Sequence, residues 1–236
     1  MTTDIAFYSD QGKRDNNEDA VTVVETNNSI LAIVADGLGG HCDGEIASQQ
    51  VVDTISRLLI DCEPDEDMLI DAIQEASKDI FSLHSSDGEM FTTVAVLWIG
   101  RGSAIVANVG DTRIYQFRNG GIVYQSLDHS KAQMAVLVGQ LSPSDIRHSK
   151  DRNRLIRVLG TAETPRVDCC TLEVCPGDHF LLCSDGFWEP VDEKKMRELM
   201  LNTESAKQWL KRMQELIEAV QNPLQDNHSA IAICLH

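Results

Sequence analysis

Short apolar runs rich in β-branched residues recur along the chain, and each is bounded by Asn, Gly or Asp. Such runs predict strands joined by tight turns, here at residues 20–24, 30–35, 92–99, 104–109, 113–117, 180–183 and 229–235. The Asn119-Gly120 step predicts the tip of a hairpin. Apolar residues at helical spacing predict helices within residues 46–59, 68–80 and 210–220. Because strands and helices come in groups instead of alternating, the pattern favours an α+β fold in which helices cover antiparallel sheets.

The chain has no internal repeat, low-complexity tract or linker rich in Pro, Gly or Ser, so we expect one domain over residues 1–236. Lys and Arg number 20 against 37 Asp and Glu, and the net charge of −17 argues against binding to nucleic acid or anionic lipid. Without an apolar run of about 20 residues or a signal peptide, we expect a cytoplasmic protein with no membrane contact. The 7 Cys residues form no C-x-x-C pair, which argues against a zinc site or a disulfide framework.

Four aspartates stand out because each lies at one end of an apolar run and is flanked by Gly or Asn: Asp36, Asp111, Asp185 and Asp226. Each is expected at the end of a strand. Carboxylates that converge from separate strands form a negative cluster that needs a cation. Oxygen ligands without Cys or His at ligand spacing favour Mg²⁺ or Mn²⁺ over Ca²⁺. The alternative for any one of them alone is ordinary turn chemistry.

Eight segments, in this order, resemble the metal-dependent Ser/Thr protein phosphatases of type 2C in their short bacterial form. They are GKRDNNEDA (12–20), VADGLGGHCDGEIAS (34–48), TT (92–93), ANVGDTRIY (107–115), LDHS (127–130), NRLIRVLG (153–160), GDHFLLCSDGFWEPV (177–191) and DNHSAIAI (226–233). The resemblance spans nearly the whole chain. It implies an αββα sandwich, in which two antiparallel sheets pack between helical layers and the metals lie in a cleft at one sheet edge.

The same resemblance implies a set of metal ligands. Asp36 matches the carboxylate that bridges two ions, and the backbone carbonyl of Gly37 would bind the first of them. Asp185 and Asp226 would hold the second ion. Asp111, together with Asp185, would form a third and weaker site. The cofactors would thus be two Mn²⁺ or Mg²⁺ ions, with a third, weaker ion.

Further residues match the substrate side of such a site. Arg14 would bind the substrate phosphate, since a guanidinium donates two hydrogen bonds to one phosphate and keeps its charge. Glu18 and Asp19 would orient metal-bound waters. His41 is the candidate general acid for the leaving alkoxide, the alternative being that it only bonds a metal-bound water. His129 is expected to have a structural role, capping a turn.

The activity that the resemblance implies is hydrolysis of phosphoserine and phosphothreonine in proteins by a water that bridges two ions, with Asp36 in the catalytic centre. The partners would be phosphorylated proteins, namely a bacterial Ser/Thr kinase or its targets, and we expect a monomer. Residues 130–152 correspond to the family's flap beside the active site. A phosphate-sensing protein without turnover is a competing hypothesis, but it predicts the loss of a metal ligand, and none is lost. A Ca²⁺-binding module would need its ligands in one local loop.

Two positions depart from the family pattern. Ser229 stands where Thr is commoner, a change that keeps the hydroxyl. Phe91 stands where the family usually has Gly before the paired threonines. Its bulk predicts a local shift of that strand.

Overall fold

The computed structural model describes residues 2–39, 43–84, 89–100, 102–162, 164–220 and 222–236. The strands are β1 (Thr3–Asp10), β2 (Asp19–Glu25), β3 (Ile30–Leu38), β4 (Phe91–Thr92), β5 (Val94–Ile99), β6 (Ser103–Val109), β7 (Arg113–Arg118), β8 (Gly121–Gln125), β9 (Asp168–Glu173), β10 (His179–Cys183) and β11 (His228–Leu235). The helices are α1 (Asp43–Leu59), α2 (Glu66–Ser82), α3 (Lys131–Leu137), α4 (Asp185–Trp188), α5 (Glu193–Leu201) and α6 (Ala206–Ala219), with a 3-10 helix at Pro143–His148.

The strands form two antiparallel sheets. One has the order β1-β11-β10-β7-β8, and the other has the order β2-β3-β5-β6-β9, with β4 paired to β3. Helices α1 and α2 pack on the outer face of the second sheet, and α4, α5 and α6 pack on the outer face of the first. The predicted αββα sandwich is confirmed.

Three apolar layers hold the sandwich together. The sequence of β3 is apolar on both faces because both faces are buried. Ile33 packs towards α1 and α2, while the next residue, Val34, packs into the space between the sheets. Side chains that alternate along a strand reach both layers, so a strand covered on both sides loses the polar alternation of a surface strand. The third layer lies under α6, where Trp209 meets Phe117 at 5.4 Å between ring centroids.

Each strand run named from the sequence lies in or overlaps a strand, and the three helix segments lie in α1, α2 and α6. The hairpin tip is also confirmed: Asn119 and Gly120 have φ of 52° and 74° and join β7 to β8. The elements that were not predicted include β1, β9, α4 and α5. Their sequences mix polar and apolar residues, and tertiary pairing decides their conformation.

The strand at Phe91 shows no shift of register against β3. Strands β4 and β5 face β3 in one continuous register, in which Thr92 lies opposite Gly37 and Ala95 opposite Val34. The Phe91 ring packs edge-on against His84, with ring centroids 5.5 Å apart, so its bulk does not push β4 away from β3.

Candidate metal centre

The predicted site residues meet in one cavity of about 270 Å³. Its lining is Arg14, Glu18, Asp36, Gly37, Leu38, Gly39, Asp111, Asn153, Leu155, Asp185, Asp226 and Asn227. Asp36 comes from β3, Asp111 from the turn between β6 and β7, Asp185 from the start of α4 and Asp226 from just before β11. The four carboxylates therefore come from both sheets. Of the other predicted residues, Asp19 is buried at the start of β2, and His41 lies outside the described residues.

The paired threonines fix the backbone of Asp36. The Asp36 N–H donates to Thr93 Oγ1 over 3.1 Å, and the Asp36 carbonyl accepts from Thr92 Oγ1 and from the Thr93 N–H, each over 2.9 Å. Both threonines are fully buried. The threonine pair is one of the segments that resemble the family, but the sequence analysis assigned no role to it. The structure shows that the pair orients the peptide groups on both sides of Asp36.

Gly37 lies where only a glycine fits. A Cβ at this position would come 2.0 Å from the carbonyl oxygen of Gly44 in α1. The Gly37 N–H donates to the Glu18 carbonyl over 3.0 Å, which connects β3 to the loop that carries Glu18. The chain thus passes closely between β2 and α1 at the wall of the cavity.

The turn that carries Asp111 is fixed at three successive residues. His129 holds Gly110 at both polar groups: the His129 N–H donates to the Gly110 carbonyl over 2.8 Å, and His129 Nδ1 accepts from the Gly110 N–H over 3.0 Å. Trp188 Nε1 donates to the Asp111 carbonyl over 3.0 Å, and Thr112 Oγ1 lies 2.5 Å from Thr93 Oγ1. The expected structural role of His129 agrees with these contacts. Neither His129 nor Trp188 was predicted to support Asp111.

Asp185 and Asp226 lie on segments that touch. Gly186, the second residue of α4, leaves no room for a Cβ, which would come 2.1 Å from the carbonyl oxygen of Asn227. Asn227 Nδ2 donates to the carbonyl of Gln11 over 2.8 Å, and Asn227 Oδ1 accepts from the Glu18 N–H over 2.9 Å. Asn227 therefore ties the segment that carries Glu18 to the segment that carries Asp226, a role that the sequence did not reveal.

Arg14 is the cation that faces these carboxylates. Its Nη2 lies 2.7 Å from Asp226 Oδ2, and the Arg14 side chain is 59% exposed. Arg113, which could have paired with Asp111, instead makes two hydrogen bonds to Asp128, of 2.8 and 2.7 Å. Among the described residues, the ion-pair partners of Arg113 are Asp128 and Glu193 and not Asp111.

Burial and mutual repulsion raise the pKa of these carboxyl groups. Burial is the largest cause for Asp36 and Asp185, whose pKa values lie well above the ordinary 3.8, and neighbouring aspartates add to it. Burial, followed by repulsion from Asp128, raises the pKa of Asp111 to about 7, and burial raises that of Asp19 to about 6. Such a cluster is destabilising when it is ionised and uncompensated.

An orphaned oxygen supports a bound cation. Asp19 Oδ2 accepts from Ser184 Oγ over 2.7 Å, whereas the buried Asp19 Oδ1 has no hydrogen-bond partner within the described parts of the chain. Within the same parts, no group of three His, Cys, Asp or Glu side chains converges closely enough to hold an ion as it stands. Binding of an ion would therefore require these side chains to rotate towards it. The oxygen donors fit a hard divalent cation such as Mg²⁺ or Mn²⁺.

Comparison with known proteins assigns the chain to a family. The family model described as "Protein phosphatase 2C" matches residues 8–229. The chain belongs to the protein phosphatase 2C family. This phosphatase is 33% identical over 205 residues to the serine/threonine phosphatase stp of Listeria monocytogenes serotype 4b (strain F2365), a match that covers 82% of the chain and 81% of the relative.

Solved structures give the same assignment. The phosphatase matches the Mycobacterium tuberculosis serine/threonine phosphatase PstP/Ppp with a TM-score of 0.87 and 30% identity over 100% of both chains. It matches the catalytic domain of PstP in complex with two manganese ions with a TM-score of 0.84 and 29% identity, over 99% of this chain and 98% of that chain. The enzyme class is that of a metal-dependent protein-serine/threonine phosphatase. In the described parts of the chain, no helix has both the length and the apolar character of a membrane span.

Proposed function

We propose that this phosphatase hydrolyses phosphoserine and phosphothreonine at two divalent ions, Mn²⁺ or Mg²⁺, held by Asp36, the Gly37 carbonyl, Asp185 and Asp226. Asp111 and Asp185 would hold a third, weaker ion. The observation that carries the proposal is the lining of one cavity by four carboxylates from both sheets, with Arg14 facing Asp226. When bound, such ions activate a water and neutralise charge on the phosphoryl oxygens.

The chain's own residues would bind and orient the substrate. Arg14 would donate to the phosphoryl oxygens, because its exposed guanidinium lies at the cavity and its ion pair with Asp226 is open to water. Among the described residues, Asp19 Oδ1 has no hydrogen-bond partner, and it would accept a hydrogen bond from a metal-bound water. Glu18 lines the same cavity, and burial raises its pKa. Its carboxylate would accept a second hydrogen bond from a metal-bound water.

His41 would protonate the leaving alkoxide. The support is its position in the sequence, two residues after Gly39, which lines the cavity. An imidazole titrates near neutral pH and can therefore donate a proton to a leaving oxygen.

We also propose that the enzyme acts as a cytoplasmic monomer on proteins phosphorylated by a bacterial Ser/Thr kinase. The names of its relatives support this substrate class. Residues 130–152, called the flap below, contain α3 and the 3-10 helix and border the cavity at Asn153.

Ligand removal tests the proposal. Asp36→Ala and Asp185→Ala should each abolish Mn²⁺-dependent hydrolysis of a phosphothreonine peptide and of p-nitrophenyl phosphate, because each removes a ligand. Asp53→Ala is the matched control, since Asp53 lies on α1 and bonds only the side chain of Gln49 among the described residues. Activity that survives EDTA, or that persists in Asp36→Ala at the level of Asp53→Ala, would contradict the proposal. Binding of the phosphopeptide without turnover in the wild type would favour a phosphate sensor instead.

A further inference from the structure

The single turn of helix α4 touches both aspartates of the proposed outer ion site. Asp185 is its first residue, and Trp188, its last residue, donates its indole N–H to the Asp111 carbonyl over 3.0 Å. The Trp188 ring is fully buried, and the Arg113 guanidinium covers it at 3.4 Å from the ring centroid. A movement of α4 would therefore change the position of Asp185 relative to Asp111.

The end of α4 is held by an arginine from the flap. The carbonyls at the end of a helix have no partner within the helix. Here Arg147 Nη1 donates to the carbonyl of Trp188 and, over 3.0 Å, to that of Glu189. Arg147 belongs to the 3-10 helix of the flap, and its side chain is only 10% exposed.

A second contact connects Arg147 to the core. Arg147 Nη2 lies 2.6 Å from Glu193 Oε2 at the start of α5. Glu193 Oε1 accepts from Tyr115 over 3.1 Å and from Arg113 Nη1 over 3.3 Å. Glu193 thus joins the flap arginine to the arginine that covers Trp188. The charges are shared among hydrogen-bonded partners, as burial requires.

We propose that Arg147 is a positioning residue that docks the flap on α4 and so keeps Asp185 and Asp111 at the spacing that the outer ion needs. This inference rests on the proposed function, since it deepens the role of the same site. Arg147 does not line the metal cavity and acts through α4. It does line an adjoining cavity of about 440 Å³, together with Arg14 and Asp226.

The consequence concerns affinity for the outer ion. Mutation of a residue that hydrogen-bonds to a metal ligand and orients it typically lowers metal affinity or activity by about 10- to 100-fold. In Arg147→Ala, the ion held by Asp36 and the Gly37 carbonyl, which do not lie on α4, should bind as in the wild type, while the outer ion should bind about tenfold more weakly. Activity at limiting Mn²⁺ should fall by a similar factor and should return at saturating Mn²⁺.

Two measurements test the inference on the full chain: calorimetric titration with Mn²⁺, and hydrogen exchange of the backbone amides of residues 131–152 without metal. Arg147→Ala should weaken the outer site and accelerate exchange in the flap. Arg154→Ala is the matched control, because Arg154 pairs with Asp151 over 2.9 Å and is 62% exposed. The control should change neither measurement.

Faster exchange with an unchanged Mn²⁺ titration would mean that Arg147 only stabilises the flap, and it would overturn the inference. Unchanged exchange would overturn it as well. Glu193→Gln provides a second variant if Arg147→Ala does not fold, and it should shift the outer site in the same direction by a smaller factor. A wild type without metal-dependent turnover would instead overturn the proposed function, which separates the two failures.

Discussion

At the scale of single residues, Arg14, which would bind the substrate phosphate, also forms an ion pair with Asp226, a proposed metal ligand. Arg14 and Asp226 are 59% and 34% exposed, respectively, and lie 2.7 Å apart. An ion pair this open to water contributes about 0–1 kcal/mol. Arg14 can therefore leave Asp226 for a phosphate at little cost.

Arg14→Ala should raise KM more than it lowers kcat, because Arg14 would contact the phosphate in both the ground state and the transition state. A loss of one charged hydrogen-bonding group is expected to raise KM by about tenfold. Steady-state kinetics on a phosphothreonine peptide and on p-nitrophenyl phosphate would measure the split. Arg14→Lys should recover part of the loss, since it keeps the charge without the planar fork. An unchanged KM for both substrates would remove Arg14 from the site.

Asp111→Ala should keep two tightly bound ions and lose the weak one. The Asp111 carbonyl, which Trp188 holds, remains in the variant, so the turn should keep its position while the carboxylate is gone. Mn²⁺ calorimetry should show one weak site fewer, and activity should need more Mn²⁺. Identical isotherms with identical phosphopeptide turnover would mean that Asp111 has a structural role only.

At the scale of elements, the site depends on the close approach of α4 to the segment before β11. At Gly186, the nearest atoms to an added Cβ would be the Asn227 carbonyl oxygen at 2.1 Å and the Asp226 Cβ at 3.1 Å. A backbone carbonyl cannot rotate away as a flexible side chain can. The glycine after Asp185 therefore sets the distance between two proposed ligands.

Gly186→Ala should lower the free energy of unfolding by about 1–3 kcal/mol, because the methyl group forces the two segments apart. It should also weaken Mn²⁺ binding, since Asp185 and Asp226 move with those segments. Gly121→Ala is the control, because its Cβ would meet its nearest atom, the Arg118 carbonyl oxygen, at 3.6 Å. Urea denaturation with and without Mn²⁺ would measure both effects. Equal stability and equal Mn²⁺ binding in the two variants would contradict the role given to this contact.

At the scale of the whole molecule, the fold holds buried carboxylates whose pKa values are raised by burial and repulsion, Asp36 and Asp185 most strongly. A group whose pKa is raised in the folded state stabilises the fold fully below its unfolded pKa. That contribution disappears as the pH rises through the folded pKa. Without metal, stability should therefore fall as the site ionises, and metal binding should reverse the loss.

In EDTA, the free energy of unfolding should decrease as the pH rises from 5 to 7, a range above the ordinary pKa of aspartate and reaching the raised pKa of about 7 of Asp111. Asp36→Asn removes one titrating carboxyl group and leaves every other titrating group in place. Its free energy of unfolding should therefore decrease less with pH than that of the wild type. Added Mn²⁺ should raise the melting temperature more at pH 7 than at pH 5, because protons compete with the ion for the carboxylates at the lower pH. Parallel pH profiles for the wild type and Asp36→Asn would show that these carboxylates do not control the stability of the metal-free protein.

The sequence by itself determined the class of fold and most of the residues of the site. The run at residues 30–35 is apolar at every position, which is the pattern of a strand covered on both faces, and Asp36 follows it directly. Local turn chemistry fixed the hairpin at Asn119-Gly120. Asp36, Asp111 and Asp185 could be found because each follows an apolar run, whereas Asp226 precedes the run of β11. Family resemblance supplied the roles of all four as expectations.

Only the tertiary structure decided which groups support these aspartates. Thr92, Asn227 and Trp188 act through hydrogen bonds to backbone groups from distant parts of the chain, and no periodicity or local motif records such partners. Strand β1 escaped prediction because its pairing with β11 joins the two ends of the sequence. The docking of Arg147 on α4 could not be predicted from the sequence either. Its acceptor is a backbone carbonyl, whose position depends on the fold and not on the side chain of its residue.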